Sequence, residues 1–440
     1  MQFKNSYYNY LFEYRGLHYI YNTLSTAIAE INENLYNAFI NNEFTQISCD
    51  EKKSLFENGF IVDKDNDEMY QYRYFYESTR FGSSAKVLGI TFIPTYNCNL
   101  SCPYCYEGEE KSVDKIKKED INKILGFISS QIKGSRDFVP ISKLRILLFG
   151  GEPLLCKNEL IYFCNATSNI AKKFNIDVEY SMVTNLTIVN SEIIDLIAKY
   201  KIVTQVSIDG IKEDHDKRRI YKNGQGTYDT IISNLEALLN NGLKNLVTIR
   251  INIDETNTKQ ADILFKTLKK YSDDIYFGIL RSYKGINDNY NQNCFKGDCI
   301  DNISTEQLHD IYVNNGFEVP QKFGKKSPCG LNAQNKYIID NKLNVYKCDL
   351  LINHPECRVG YINEDGEFFI EPNYYQQMAF SPFLFKDCLN CKFLPLCGAG
   401  CPAEKYLAIQ LKNGNIIHKN CDFVEERLKN YLLDYVKRLA

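Results

Sequence analysis

No stretch of the sequence reaches the roughly 18 consecutive apolar residues that would span a bilayer. The N-terminus, Met1-Gln2-Phe3-Lys4-Asn5-Ser6, lacks the apolar core of a signal peptide. An excess of charge is missing too: 52 Lys and Arg stand against 55 Asp and Glu, a net −3. That removes a strongly basic nucleic-acid surface and leaves neither nucleic acid nor membrane as an expected partner. Tryptophan is absent and histidine occurs five times. What the chain does have is cysteine, 16 of them in 440 residues. That length suggests two to four domains at roughly 150 residues each. Hydrophobic residues at 44% and charged residues at 24% exclude global disorder. A chain this long is not a small disulfide scaffold, so a cytoplasmic protein whose thiols hold metal is expected.

The first 86 residues contain none of the closely spaced cysteines. Tyr7 to Asn22 reads as a β-hairpin with Arg15-Gly16 at its turn. Asn32–Ile40 and Asp50–Glu57 read as short helices, and Phe60-Ile61-Val62 as a strand before the acidic turn 63–68. Together they predict a small winged-helix-like α+β domain; the plainer alternative is an extension packed on the main domain. Tyr70–Ser84 is polar and aromatic and reads as a linker. From residue 87, strand-like runs (Val87–Phe92, Leu144–Phe149, Val178–Val183, Val203–Ile208, Leu246–Ile253, Ile275–Leu280) alternate with helical stretches near 118–132, 157–174, 191–200, 228–240 and 258–270. Six β-α units in series predict an α/β fold, a partial (β/α)6 barrel with its chemistry at the C-terminal strand ends. After about residue 285 the alternation stops. Loops and cysteines dominate up to a terminal helix at Asp422–Arg438, and the cysteines are the expected source of order. The expected divisions are 1–86, 87–285, a bridging region 286–325, and a cysteine-rich domain 326–440.

The first strand runs into Cys98, Cys102 and Cys105, spaced C-x3-C-x2-C on one short loop. Three such thiolates can hold three irons of a 4Fe–4S cubane and leave the fourth open to a chelating substrate. A zinc site completed from a distance is the alternative. With aromatic Tyr104 before the last Cys, this loop resembles the signature of the radical S-adenosylmethionine (radical SAM) enzymes. The resemblance implies that SAM chelates the open iron and that Tyr104 lies by the adenine. Gly150-Gly151-Glu152-Pro153, at the end of the second strand, resembles the family's GGEP motif, which contacts the SAM amino group. Two glycines allow close backbone approach and a carboxylate suits an ammonium. Thr184-Asn185 resembles the TN(G) segment, with Leu186 where Gly is usual. Ser207-Ile208-Asp209-Gly210 resembles the S-x-D-G segment. Ser207 and Arg219, twelve residues on, look like the pair that binds the SAM carboxylate; Arg218 is adjacent, and a solvated Lys217-Arg218-Arg219 run is the plainer reading. The implied chemistry is reductive cleavage of SAM to a 5′-deoxyadenosyl radical that abstracts hydrogen from substrate, with electrons from a carrier such as flavodoxin or ferredoxin.

The C-terminal third carries Cys329-x18-Cys348, then Cys388-x2-Cys391-x5-Cys397-x3-Cys401, then Cys421. The four-Cys core alone could be a zinc ribbon. In this order the seven closely resemble the SPASM extension of radical SAM peptide modifiers. That resemblance implies two auxiliary 4Fe–4S clusters, making three in all. Cys388, Cys391, Cys397 and Cys421 would hold one, and Cys329, Cys348 and Cys401 the other. The chain departs from the pattern at Leu343, where Gly is usual, and lacks the extra Cys that sulfatase-maturating relatives carry shortly after the first. Cys357 is a candidate fourth ligand; otherwise it is a small buried hydrophobe. Asp349, following Cys348, is a candidate base by analogy with sulfatase maturases, or else a supporting or surface carboxylate.

Tyr7 to Glu68 resembles a RiPP recognition element, a domain that reads the leader of a ribosomal precursor peptide by adding it as a strand. The favoured expectation is a maturase of such a peptide that installs a thioether or carbon–carbon crosslink. A sulfatase-maturating dehydrogenase making formylglycine, and a non-catalytic metal-holding binding module, are the alternatives.

Overall fold

In a computed structural model of the protein, the described residues are 2–105, 107, 112–135, 139–253, 257, 261–279, 311, 314–316, 327–410 and 421–439. The expected bridging region, 286–325, lies almost entirely outside them.

The chain begins with strands β1 (Phe3–Asn5), β2 (Asn9–Tyr14), β3 (Leu17–Asn22) and β4 (Ile28–Ile31). β2, β3 and β4 form an antiparallel sheet in that order. The β2–β3 turn has both Arg15 and Gly16 at positive φ, 52° and 77°, as a two-residue hairpin matched to strand twist requires. Helix α1 (Glu33–Asn41) starts where the Asn32 side chain accepts from the Leu35 N–H. Helix α2 (Cys49–Glu57) starts with a reciprocal Ser48/Glu51 capping box. β5 (Ile61–Asp63) then returns to pair antiparallel with β1. The segment expected as a linker is instead helix α3 (Glu68–Ser78), capped by Asp67. Tyr72 and Tyr76, four residues apart on one face, are buried; Tyr70 and Tyr74 face solvent.

The next unit alternates as expected: β6 (Val87–Phe92), α4 (Lys118–Gly134), β7 (Lys143–Leu148), α5 (Lys157–Phe174), β8 (Asp177–Thr184), α6 (Ser191–Tyr200), β9 (Val203–Ser207), α7 (Lys212–Arg218), α8 (Tyr228–Asn240), β10 (Val247–Ile253), α9 (Ala261–Leu268) and β11 (Asp274–Ile279). β6 to β11 pair parallel in sequence order. Ile90, Ile146, Met182, Val206 and Ile249 are buried along them, because helices cover the sheet. The short charged helix α7 had no counterpart in the sequence reading.

The C-terminal region does not depend on its cysteines alone for order. β12 (Lys336–Ile339) pairs parallel with β6, with Ile338 opposite Thr91 and Ile339 opposite Phe92. β13 (Asn344–Tyr346), β14 (Gly360–Ile362) and β15 (Phe368–Ile370) follow antiparallel, giving one ten-stranded sheet. Helices α10 (Pro372–Ala379), α11 (Lys386–Leu389), α12 (Leu394–Cys397), α13 (Pro402–Gln410) and α14 (Cys421–Leu439) complete the chain. α14 packs Leu428, Leu432 and Val436 against Tyr10, Phe12, Tyr19 and Tyr21 of the N-terminal sheet. Among the described residues, no helix is long and apolar enough to cross a membrane.

Candidate active site

The loop after β6 brings Cys98, Cys102 and Cys105 together. Burial pushes the Cys102 thiol up to about 11; Arg219 opposes that shift, while Cys105 and Cys98 add to it. Cys98 Sγ accepts from the Leu100 N–H at 3.4 Å and from Asn185 Nδ2 at 3.7 Å. Such donors favour thiolate over thiol, which is the form an iron ligand takes. Asn185 Nδ2 also donates to Asn99 Oδ1 at 2.9 Å, tying the loop to the end of β8. Leu186, at the position where the TN(G) segment has Gly, sits at φ 54° with its side chain fully buried. The left-handed turn is kept although the glycine is not.

Gly150 and Gly151 follow β7 and lie under this loop. The Gly151 N–H donates to the Thr95 carbonyl at 3.1 Å and the Glu152 N–H to the Asn97 carbonyl at 2.9 Å. A Cβ on Gly150, which has φ 142°, would lie 2.4 Å from the Thr95 oxygen. One on Gly151 would lie 2.3 Å from the Tyr96 and Asn97 oxygens. The two glycines are therefore needed where the cysteine loop crosses them. The Glu152 carboxyl is fully buried, and burial raises it above the ordinary carboxylate range. Its Oε1 accepts from the Leu154 N–H at 3.0 Å and Thr184 Oγ1 at 2.7 Å; its Oε2 accepts from the Asn185 N–H at 2.7 Å. A carboxylate has about four lone-pair sites, so one on Oε2 stays open for an ammonium donor.

Tyr104, Asp209 and Arg219 meet beside the thiols. Arg219 Nη1 donates to the Tyr104 hydroxyl at 2.7 Å, and that hydroxyl donates to Asp209 Oδ2. Asp209 Oδ1 accepts from the Asn252 N–H at 2.9 Å and Asn252 Nδ2 at 3.0 Å. Burial pushes the Asp209 carboxyl up, but Arg219, Arg218 and the Tyr104 hydroxyl bring it below its ordinary value. Arg218 lies over the Tyr104 ring at 4.9 Å and both arginines are buried, so of the run only Lys217 is solvated. Arg219 is the one whose charge is felt at Cys102, and its buried Nε has no hydrogen-bond partner among the described residues. An unpaired buried guanidinium N–H fits an incoming carboxylate. Ser207 is buried at the end of β9.

Sequence reasoning missed the groups that fix this cluster from behind. The Asp209 N–H donates to His215 Nδ1 at 3.3 Å, and His215 Nε2 lies 3.0 Å from Thr227 Oγ1. The Thr227 hydroxyl donates to the Arg219 carbonyl at 2.7 Å. The directions close: Nδ1 accepts, so Nε2 carries the proton and donates to Thr227. Burial, then Arg219, lowers His215 to about 4, so the ring is neutral at neutral pH. A histidine directly ahead of Asp216 on a polar segment was the available signal.

The second set of thiols falls in two places. Cys329, Cys348 and Cys401 pack against one apolar cluster, and burial pushes the Cys348 thiol well up, with Asp349, Cys329 and Cys401 adding to it. Lys347, fully buried, donates to the Ala333 carbonyl at 2.6 Å and holds the turn after Cys329. Cys357 shares their apolar surroundings, but burial and then Glu356 push its thiol up to about 12, with no contribution from the other three. The Cys348 thiol donates to Asp349 Oδ1 at 3.6 Å. Cys388, Cys391 and Cys397 lie on and between α11 and α12, and the Cys391 N–H donates to the Cys388 carbonyl at 3.1 Å. The Cys421 side chain lies outside the described residues. Gly398, Ala399 and Gly400, all at positive φ, wind the chain tightly from Cys397 to Cys401. Among the described residues, no three of these side chains close around a single metal ion; ligands of a multi-iron cluster hold different irons and do not need to.

The family model described as the Radical SAM superfamily matches residues 92–265. Over 332 residues the chain is 26% identical to a cysteine-type anaerobic sulfatase-maturating enzyme of Clostridium novyi (strain NT), covering 70% of this chain and 86% of that protein. Over 221 residues it is 26% identical to the radical SAM cyclopropyl synthase TigE of Paramaledivibacter caminithermalis, covering 46% and 44%. In fold it is similar to histidine-tagged anSMEcpe with bound AdoMet, with a TM-score of 0.60 at 18% identity over 80% of this chain and 94% of that one. It is also similar to Streptococcus suis SuiB bound to S-adenosylmethionine, with a TM-score of 0.53 at 15% identity over 92% and 96%.

Proposed function

Because this chain is a radical SAM enzyme, with that domain over residues 92–265, we propose that it matures a ribosomally made precursor peptide by abstracting hydrogen from one residue and installing a thioether or carbon–carbon crosslink. Membership of this family leaves no place for the non-catalytic binding module. The observation that carries the peptide reading is the N-terminal α+β unit. The likeness to SuiB, solved also with its precursor peptide SuiA, takes in 92% of this chain, against 80% for anSMEcpe. In residues 1–86, β4 is one of the two outer strands of its sheet, and a leader could add there through main-chain hydrogen bonds.

When bound, SAM and a reduced 4Fe–4S cluster supply a 5′-deoxyadenosyl radical as hydrogen abstractor. Cys98, Cys102 and Cys105 are the residues to hold the cluster. The open lone pair on Glu152 suits the SAM ammonium, and Arg219 Nε, with Ser207 nearby in sequence order, suits its carboxylate. Tyr104 supplies the aromatic face. Burial of Cys98, Glu152, Asp209 and Arg219 keeps water out, which protects a reactive species. Two auxiliary 4Fe–4S clusters belong to the same proposal, one on Cys388, Cys391, Cys397 and Cys421, the other on Cys329, Cys348 and Cys401. The electron donor would be a small carrier such as flavodoxin or ferredoxin.

The test is anaerobic incubation with SAM, a reductant and leader-bearing peptides encoded beside the gene. A product lighter by two hydrogens, with no aldehyde, is expected. One observation favours the sulfatase-maturase reading: the Clostridium novyi relative aligns over 70% of this chain. Asp349 would then be the base. A Cys-bearing sulfatase peptide converted to an aldehyde, with precursor peptides untouched, would decide for that reading.

A further inference from the structure

The segment between Cys388 and Cys397 is gripped along its backbone by hydroxyls of the N-terminal unit. The Tyr7 hydroxyl donates to the Asn390 carbonyl, Thr23 Oγ1 to the Lys392 carbonyl, and the Tyr72 hydroxyl to the Leu394 carbonyl at 3.5 Å. The three acceptors are alternate residues, so every second peptide plane of the segment is held. A peptide unit is planar, so fixing a carbonyl also fixes the N–H of the next residue. For Asn390 that N–H belongs to Cys391, and it closes the turn onto Cys388. Apolar packing backs the grip. Tyr8, Leu24 and Tyr72 share a buried cluster with Cys388 and Leu394, and the rings of Tyr10 and Phe393 lie 5.9 Å apart. Thr23 and Tyr72 are fully buried.

α3 and the turn after it reach the second group of thiols. Asn332 Nδ2 donates to the Tyr76 hydroxyl at 2.8 Å, and Arg80 Nε donates to the Asn332 carbonyl at 2.8 Å. The Asn332 N–H in turn donates to the Cys329 carbonyl at 3.1 Å.

We propose that Tyr7, Thr23 and Tyr72 are positioning residues for an auxiliary cluster on Cys388, Cys391 and Cys397, so that the N-terminal unit forms part of that cluster's wall as well as reading a peptide. The inference rests on the auxiliary-cluster reading above. Ligand loops of metal sites depend on the hydrogen bonds behind them, and here those bonds come from a different part of the chain.

The test compares the full-length wild type, Thr23→Val/Tyr72→Phe and Thr23→Ser/Tyr72→Phe, all reconstituted anaerobically. The wild type is expected to hold about twelve irons. The Val/Phe variant is expected to hold about eight, or to lose about four irons to a chelator several-fold faster, with the EPR signal of the SAM-binding cluster unchanged. Restoring one hydroxyl with Ser should recover part of the loss, which a merely packing role would not do. A wild type at about twelve irons with an equally loaded Val/Phe variant overturns this inference alone. A wild type that takes up only about four irons overturns the auxiliary-cluster reading, and this inference with it. If the double variant does not fold, Thr23→Val alone carries the comparison, and unchanged iron release from it overturns the proposal.

Discussion

His215 is a buried neutral imidazole, and that has a thermodynamic consequence. Its ordinary value is 6.5 and its folded value about 4, so between those limits the unfolded chain binds a proton that the folded chain refuses. The stability it contributes is full above pH 6.5 and is lost as pH falls toward 4. From about pH 7 to about pH 5 the loss should be about 2 kcal/mol. His215→Gln should remove that part of the slope in urea unfolding and weaken SAM binding in equilibrium dialysis, because Asp209 and Arg219 lose their shared backing. An unchanged SAM affinity would count against the positioning role. Gly151→Ala should be severe, since its Cβ would lie 2.3 Å from two carbonyls of the cysteine loop. We expect 5′-deoxyadenosine formation to fall more than about tenfold, equivalent to at least about 1.4 kcal/mol. The thiols and the GGEP turn were legible in the sequence because each is a contiguous string. The circuit through His215 and Thr227 was not, because its members meet only in the fold. Leu186 and Leu343 read as departures from a glycine pattern, yet both sit at positive φ, 54° and 65°. Each position keeps the conformation at a cost of about 1–2 kcal/mol. Leu186→Gly would relieve that strain but vacate a fully buried side chain, worth about 2–5 kcal/mol, so a net loss in melting temperature is expected.

At the scale of elements, β6 to β11 were legible because each puts apolar residues at alternate positions on the face the helices cover, as Leu144, Ile146 and Leu148 do in β7. Helix α3 was not. Its aromatic residues recur at both odd and even spacings, Tyr70, Tyr72, Tyr74, Phe75 and Tyr76, so no 3.6-residue stripe stands out. Only the fold distinguishes the buried Tyr72 and Tyr76 from the exposed Tyr70 and Tyr74. α7 was missed for the opposite reason: Lys212–Arg218 has no apolar residue to show a period. The turn after α3 offers a sharp test. Arg80 is buried and donates to the carbonyls of Asn332 and Met378. Arg80→Ala leaves those acceptors without their charged donor and should cost about 2–3 kcal/mol in chemical denaturation. Wild-type stability in this variant would mean that the contact between α3 and the Cys329 turn is incidental.

At the scale of the whole molecule, the thiols belong to separate places in one sheet-based body, so their losses should be separable. Replacing Cys98, Cys102 and Cys105 together by Ala should abolish 5′-deoxyadenosine formation while leaving about eight irons bound. Loss of all iron would mean that the sites assemble as one. The C-terminal region was expected to owe its order to metal, but β12 gives it a second source by lying against β6. That pairing reaches beyond stability. The loop bearing Cys98 leaves one strand of the pair, while the other leads through β13 to Cys348, and the Tyr96 hydroxyl bonds Asp340 between them at 3.4 Å. Two redox centres on such loops would keep a fixed spacing whatever peptide arrives or departs. Electron flow between them would then answer to potential and chemistry.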